Sequence, residues 1–422
     1  MTLNRRTLLQ AAAGAAVLGG VPLARAADTV KIGFVSPQTG PLALFGEADK
    51  WVVARMTEAF KDGITVGGRH MAVQILLKDS QSNPNKAGEA ASDLILKDQV
   101  ALVLTAGTPE TANPVSDACE LNGVPCVSTV VPWQPWFFGR KGDPVKGFDW
   151  TYHLFWGLED VIANFTNGWK SVATNKSVGG LFPNDGDGNA WGDKAIGFPK
   201  PLAGLGFTLA DPGRFQDGTQ DFSAQIAAFK KANAEIVTGV VIPPDAKTFL
   251  TQARQQGYRP KVVTLGKALL FPGAIDALGD LGDGLSAEVW WSPWHPFSSS
   301  LTKQNAKALA DAWEADTHKQ WTQPIGFAHA LFEVAADALR RTRSLDPKDV
   351  RDAVAKTRLA TIVGPVQWGG AGPMRNVSKT PLVLGQWGPG KRFRHELTIV
   401  NSDAARQAGI AIPTGGALRL MA

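Results

Sequence analysis

The feature that most constrains this chain is an alternation of short β-branched runs with longer segments of helical period. Residues 30–35 read as a strand. A glycine-rich loop follows, then a helix over 47–60 with Val52, Met56, Ala59 and Phe60 among its apolar positions. The pattern continues with a strand at 71–77 and a helix to Lys97 opened by Asn83 as N-cap and Pro84 at the first helical position. Strand 100–105, helix 114–121 and strand 125–129 complete a first series. A second series places strands at 177–182, 235–242 and 261–265, with helices at 193–202, 222–231 and 245–256. Buried strands linked through helices build parallel sheets covered on both faces. The irregular stretch 131–149 between the series predicts an α/β fold of two doubly wound parallel-sheet lobes. Helices expected over 301–318, 325–343 and 347–357 return to the first lobe, before strand-like pieces at 361–368 and 382–386. The expected division is 28–152 with 299–358 for the N-terminal lobe, 153–298 with 359–400 for the C-terminal lobe, and a tail over 401–422.

Residues 1–26 have a different character. Arg5 and Arg6 precede a soft apolar run rich in alanine and glycine, and Ala24-Arg25-Ala26 offers small residues at −3 and −1 of a cleavage site. That order describes a signal peptide, and Asn4-Arg5-Arg6-Thr7-Leu8-Leu9 resembles a twin-arginine signal, leaving the export route open. Gly14, Gly19, Gly20 and Pro22 interrupt the run, which argues for cleavage over anchoring. The expected location is therefore the periplasm. Removing this segment takes away three arginines and no acidic residue, so the formal charge falls from +5 to +2. The remaining charge shows no cluster able to track phosphates, and nucleic acid is not an expected partner.

The segment Ile32-Gly33-Phe34-Val35-Ser36-Pro37-Gln38-Thr39-Gly40-Pro41-Leu42-Ala43-Leu44-Phe45-Gly46 resembles the opening of the leucine/isoleucine/valine-binding proteins. Asn122-Gly123-Val124-Pro125, Asp221-Phe222-Ser223 and Gln256-Gly257-Tyr258 before Val262-Val263-Thr264-Leu265-Gly266 extend the likeness along the mature chain. The resemblance implies a type I periplasmic binding protein: two lobes joined by three crossovers, closing on a small organic ligand. It also implies ABC permease and ATPase subunits as membrane partners and a monomeric receptor without cofactor. A sensor of the same fold and an exported hydrolase are the alternatives.

Ligands of open parallel sheets sit beyond the carboxyl ends of the strands, so the loops there carry the candidates. Phe45 stands where the family offers an aromatic. Thr108 and Thr111 keep the hydroxyls with which relatives hold a ligand carboxylate, although Pro109 lacks an N–H and Glu110 adds negative charge. Val130 and Pro132 replace a family Ala-x-Thr element, with Trp133 beyond it, and Trp191 falls where an aromatic covers the ligand. Lys267 stands where amino-acid binders place an acidic residue. Its amine either meets a ligand carboxylate or points to solvent. With 14 tryptophans against 2 tyrosines, about half of those near the loops being assigned to packing, the cleft is expected to suit an aromatic or bulky apolar carboxylate.

Catalysis lacks a constellation: there is no Gly-x-Ser-x-Gly elbow and no phosphate-binding Gly-rich lysine loop. The six histidines show no metal-ligand spacing. Asn184-Asp185-Gly186-Asp187-Gly188-Asn189 resembles a calcium loop, but Ile196 occupies the position of its final acidic ligand, so a turn is expected and no metal. Cys119 and Cys126, separated by an Asn122-Gly123 turn, either bridge or remain buried thiols.

Overall fold

The computed structural model describes residues 28–369 and 372–421; the predicted signal peptide lies outside them. The first lobe holds β1 (Thr29–Ser36), β2 (Ile64–Val66), β3 (Arg69–Asp79), β4 (Leu102–Ala106), β5 (Cys126–Thr129) and β6 (Thr151–Leu154). The second holds β7 (Ser177–Leu181), β8 (Thr208–Ala210), β9 (Ile236–Val240), β10 (Val262–Gly266) and β11 (Ser286–Val289). Then come the hairpin β12 (Arg358–Thr361) and β13 (Gly364–Gln367), the short β14 (Val377–Ser378), and β15 (Val383–Pro389) with β16 (His395–Asn401). Two seven-stranded sheets result, ordered β14-β6-β5-β4-β1-β3-β2 and β16-β15-β11-β10-β9-β7-β8. Within these two sheets all pairings are parallel except β2 with β3, β11 with β15 and β15 with β16.

Strand alternation divides the first lobe's core. Ile32, Phe34, Leu102, Leu104 and Val127 face one side, against Val52 and Met56 of the helix Asp49–Ala59 and the helix Pro324–Arg341. Val35, Val103 and Cys126 face the other, against Ala87, Ala91, Leu94, Val115 and Cys119 of the helices Pro84–Leu96 and Pro109–Asn122. Both thiols are buried and free, and burial followed by the neighbouring Cys126 pushes Cys119 well above the usual thiol range.

The chain passes between lobes three times: after β6, between β11 and the helix Ala306–Thr317, and between β14 and β15. Glu333 ties one of these passages and the turn of the β12–β13 hairpin to the helix it sits on. Its carboxylate accepts from the Ser300 hydroxyl at 2.8 Å and from the Ile362 N–H at 2.9 Å. His153, His295 and His329 are buried and each meets a serine hydroxyl at 2.8 Å; burial lowers all three to about 3, so they are neutral packing groups.

The helix expected over 193–202 does not form as one unit. Asp185 caps a helix earlier, accepting the Gly188 N–H at 2.6 Å, and Gly186–Trp191 is helical. Gly192 and Gly197 then interrupt the path, and a second helix starts at Pro199. The stretch 131–149 contains the short helix Trp133–Phe137, and the strand read at 361–368 is one arm of a tight hairpin. The expected tail folds onto the second lobe: Leu418 is buried, the Met421 N–H donates to the Lys261 carbonyl, and the Arg419 N–H donates to Gln386.

Candidate functional site

A cavity of about 320 Å³ lies between the lobes, beyond the carboxyl ends of the strands on both sides. From the first lobe come Phe45, Thr108, Val130, Pro132, Phe155 and Trp156; from the second come Asp187, Trp191, Val240, Lys267, Leu270, Glu288 and Trp290. Contacts across it hold the lobes together at one side of the site, where Glu110 of the first lobe meets Gly186 and Lys267 of the second.

The walls are aromatic. Trp156 packs on Phe155 at 4.8 Å between centroids, and Phe155 meets Trp290 edge-on at 5.4 Å. Trp191 stacks on Phe198 at 5.2 Å, which fixes the plane of its indole. Phe45 is set edge-on against Phe271 at 4.9 Å. Gly266 is needed beside this wall, because a β-carbon there would stand 2.7 Å from the Trp191 ring. Val130 and Lys267 each follow a strand, one per lobe, and both have positive φ (71° and 68°). A β-branched residue in that region is strained, and such strain gathers where loops aim side chains at a ligand.

The polar part is dominated by one buried cluster. Lys267 Nζ lies 2.7 Å from Asp185 Oδ2, 3.2 Å from Asp187 Oδ2 and 3.6 Å from Glu110 Oε2. Burial alone would favour the neutral amine, but the three carboxylates outweigh it and hold the Lys267 pKa well above the ordinary lysine value. Glu110 is held low in return: Lys267 overcomes the effect of burial. Asp187 goes the other way, pushed up by burial and by Glu110 and Asp185 against the pull of Lys267. One oxygen each from Glu110, Asp185 and Asp187 lies within 4.8 Å of the others, a spacing that suits a cation, and the lysine ammonium takes that place.

Glu110 belongs to the first lobe and its partners to the second. Its Oε1 also accepts the Gly186 N–H at 3.0 Å, so one carboxylate both pairs with a lysine and caps a helix across the cleft.

Five of the residues singled out from sequence meet in the cavity: Phe45, Thr108, Val130, Trp191 and Lys267. Thr111 does not line it; its hydroxyl turns back to the Thr108 carbonyl at 3.4 Å and packs beneath Gly107. Trp133 does not line it either. Its indole N–H donates to Glu159 Oε1 at 3.1 Å, and Pro132 takes the lining position. The expected encounter of Lys267 with a ligand carboxylate loses its basis, because the amine is paired within the protein. Sequence reasoning missed Glu288, whose signal was a lone carboxylate inside the apolar run 285–291.

Glu288 is fully buried. One oxygen accepts the Lys267 backbone N–H at 3.3 Å, while Oε2 has no partner. Burial raises its pKa to about 7. The indole N–H groups of Trp156 and Trp191 and Oδ1 of Asp187 are likewise buried without hydrogen-bond partners. Buried polar groups without a protein partner in a cavity wall are where a bound molecule can form hydrogen bonds.

Two doubly wound lobes, three passages and a shared inter-lobe cavity define a two-lobed solute-binding protein. Residues 29–391 match the periplasmic binding protein family, and the chain belongs to it. This is a family of solute-binding proteins, not of enzymes. A relative from Pseudomonas aeruginosa, the leucine-, isoleucine-, valine-, threonine-, and alanine-binding protein, is 24% identical over 377 residues, covering 87% of this chain and 93% of that one. The fold is similar to that of a leucine-binding protein from Thermotoga maritima, with a TM-score of 0.68 and 22% identity over 89% of this chain and 99% of that one. It is also similar to an ABC transporter solute-binding protein from R. palustris in complex with 4-hydroxybenzoate, with a TM-score of 0.70 and 17% identity over 89% and 96% of the two chains.

Proposed function

We propose that this protein is the exported solute receptor of an ABC importer, closing over one small organic molecule with a flat apolar body and presenting it to membrane permease subunits. The observation that carries this reading is the cavity shared by both lobes and walled by Phe45, Phe155, Trp156, Trp191 and Trp290. A solute that touches both lobes binds the shut form better than the open one, and this differential affinity drives closure. The names of the relatives span aliphatic amino acids and an aromatic acid, which supports a small organic solute and leaves its polar end to be read from this pocket.

The test is mass spectrometry of the solute released when the purified mature protein is unfolded, followed by titration of that solute into refolded protein. One equivalent should quench or shift tryptophan emission and raise the melting temperature. A protein that releases no solute, and that no small organic molecule stabilises, would not be a receptor.

A further inference from the structure

Resting on the receptor reading above, we infer that the solute is an organic cation, an aromatic or flat apolar amine without a carboxylate, whose charged nitrogen is anchored by Glu288.

Four observations converge on this. Among the described residues that line the cavity, Lys267 is the one cation, and its amine is satisfied by Asp185, Asp187 and Glu110. A solute carboxylate brought to that amine would join three existing carboxylates and be repelled. Beyond the cluster, Glu288 adds a fourth acidic group, and Oε2 of Glu288 and Oδ1 of Asp187 lie buried with nothing to accept from. An ionised carboxylate enclosed by apolar walls is costly unless a partner arrives, and a cationic nitrogen is the partner that removes the cost.

The first lobe makes the same distinction from its own side. It contributes Phe45, Val130, Pro132, Phe155 and Trp156, with Thr108 the sole hydroxyl and no cation. Pro109 lacks an N–H at the start of its helix, and the Glu110 carboxylate occupies the neighbourhood where an anion would be drawn. What remains is a box of aromatic faces with acidic groups at one end and the unpartnered indole N–H groups of Trp156 and Trp191 in its walls, which suit a neutral acceptor on the solute's flat body. Aromatic faces attract cations through their ring quadrupoles, and the attraction grows where water is excluded.

The experiment uses the mature protein freed of bound solute, with tryptamine and phenethylamine as cationic probes and 4-hydroxybenzoate and leucine as carboxylate-bearing ones, titrated by calorimetry. The expected result is an amine bound at least tenfold more tightly than either carboxylate probe, with Glu288→Gln weakening the amine about tenfold or more while the melting temperature of the unliganded protein is kept. Tighter binding of 4-hydroxybenzoate or leucine, or amine binding indifferent to Glu288→Gln, would overturn the inference and leave the receptor reading standing. Failure of both amines to bind overturns it as well. The receptor reading itself falls only if no solute of any charge is released or bound. Because the probe comparison is made on the unaltered protein, it holds even if the variant fails to fold.

Discussion

Glu110 Oε1 accepts the backbone N–H of Gly186 at 3.0 Å, and these two residues belong to opposite lobes. The same carboxylate faces Lys267, so the contact joins a helix terminus and a buried ammonium on one side to a single side chain on the other. The shut form is therefore held in part by the protein itself and not by solute alone.

Replacing Glu110 by alanine should loosen that closure. A charge-assisted hydrogen bond is worth about 1.5–3 kcal/mol, so the solute Kd should rise by roughly tenfold or more, chiefly through faster release. Small-angle scattering should show a larger radius of gyration for the unliganded variant than for the wild type. Equal radii and equal affinities would show that the contact does not govern closure.

Lys267→Met removes the counter-ion from three carboxylates that are largely enclosed. Breaking a buried pair in this way costs about 3–5 kcal/mol. Urea unfolding should register the loss, and the loss should be smaller at pH 5 than at pH 8, because Asp187 is protonated more readily at the lower pH.

Asp49 provides a pH test remote from the solute. Burial raises its carboxyl to about 7, against the pull of Ser36 and Gln38. The folded form thus holds a proton that the unfolded chain releases near pH 4, and the associated stability is lost as pH rises from there through about 7. Asp49→Asn has no such dependence, so its stability relative to wild type should climb across that window and level off above it. The ceiling on the climb is on the order of 4 kcal/mol. The buried histidines are common to both proteins and cancel in the comparison. A difference flat from pH 4 to pH 8 would contradict the raised carboxyl.

Gly266→Ala places a methyl group against Trp191 and both Glu288 oxygens. Solute affinity should drop by at least tenfold as the wall is displaced, while the melting temperature of the unliganded protein should fall by only a few degrees, the ordinary cost of overpacking. Retained affinity would place the solute elsewhere.

Much of this architecture is legible in the chain, and the reasons differ from part to part. Phe45, Thr108, Val130, Trp191 and Lys267 were found because they follow strands, and in a parallel sheet the ends of strands converge on one cleft. Trp133 and Thr111 stand one and three positions from the lining Pro132 and Thr108, yet they face elsewhere. Successive side chains on a helix point about 100° apart, so a position right to within a residue can still be wrong in direction. Lys267 shows a different limit. Its identity and loop were readable, but its three partners come from distant segments, and no local pattern announces that Asp185, Asp187 and Glu110 will meet it. Glu288 was visible as a lone acid among apolar residues and passed over because strand β11 itself reads as ordinary core.

The three passages between the lobes also bear on how the molecule comes into being. Neither half is encoded by an unbroken run of codons. The sheet built from β1 to β6 waits for the helix Pro324–Arg341 to cover one face and for β14 to close its edge. Until the last quarter of the polypeptide has been synthesised, Ile32, Phe34, Leu102 and Leu104 have only the helix Asp49–Ala59 over them, and the face is half covered. A chain interrupted before residue 306 would expose that sticky surface, so proteases and chaperones meet every prematurely ended copy as an unfinished whole and never as a finished half.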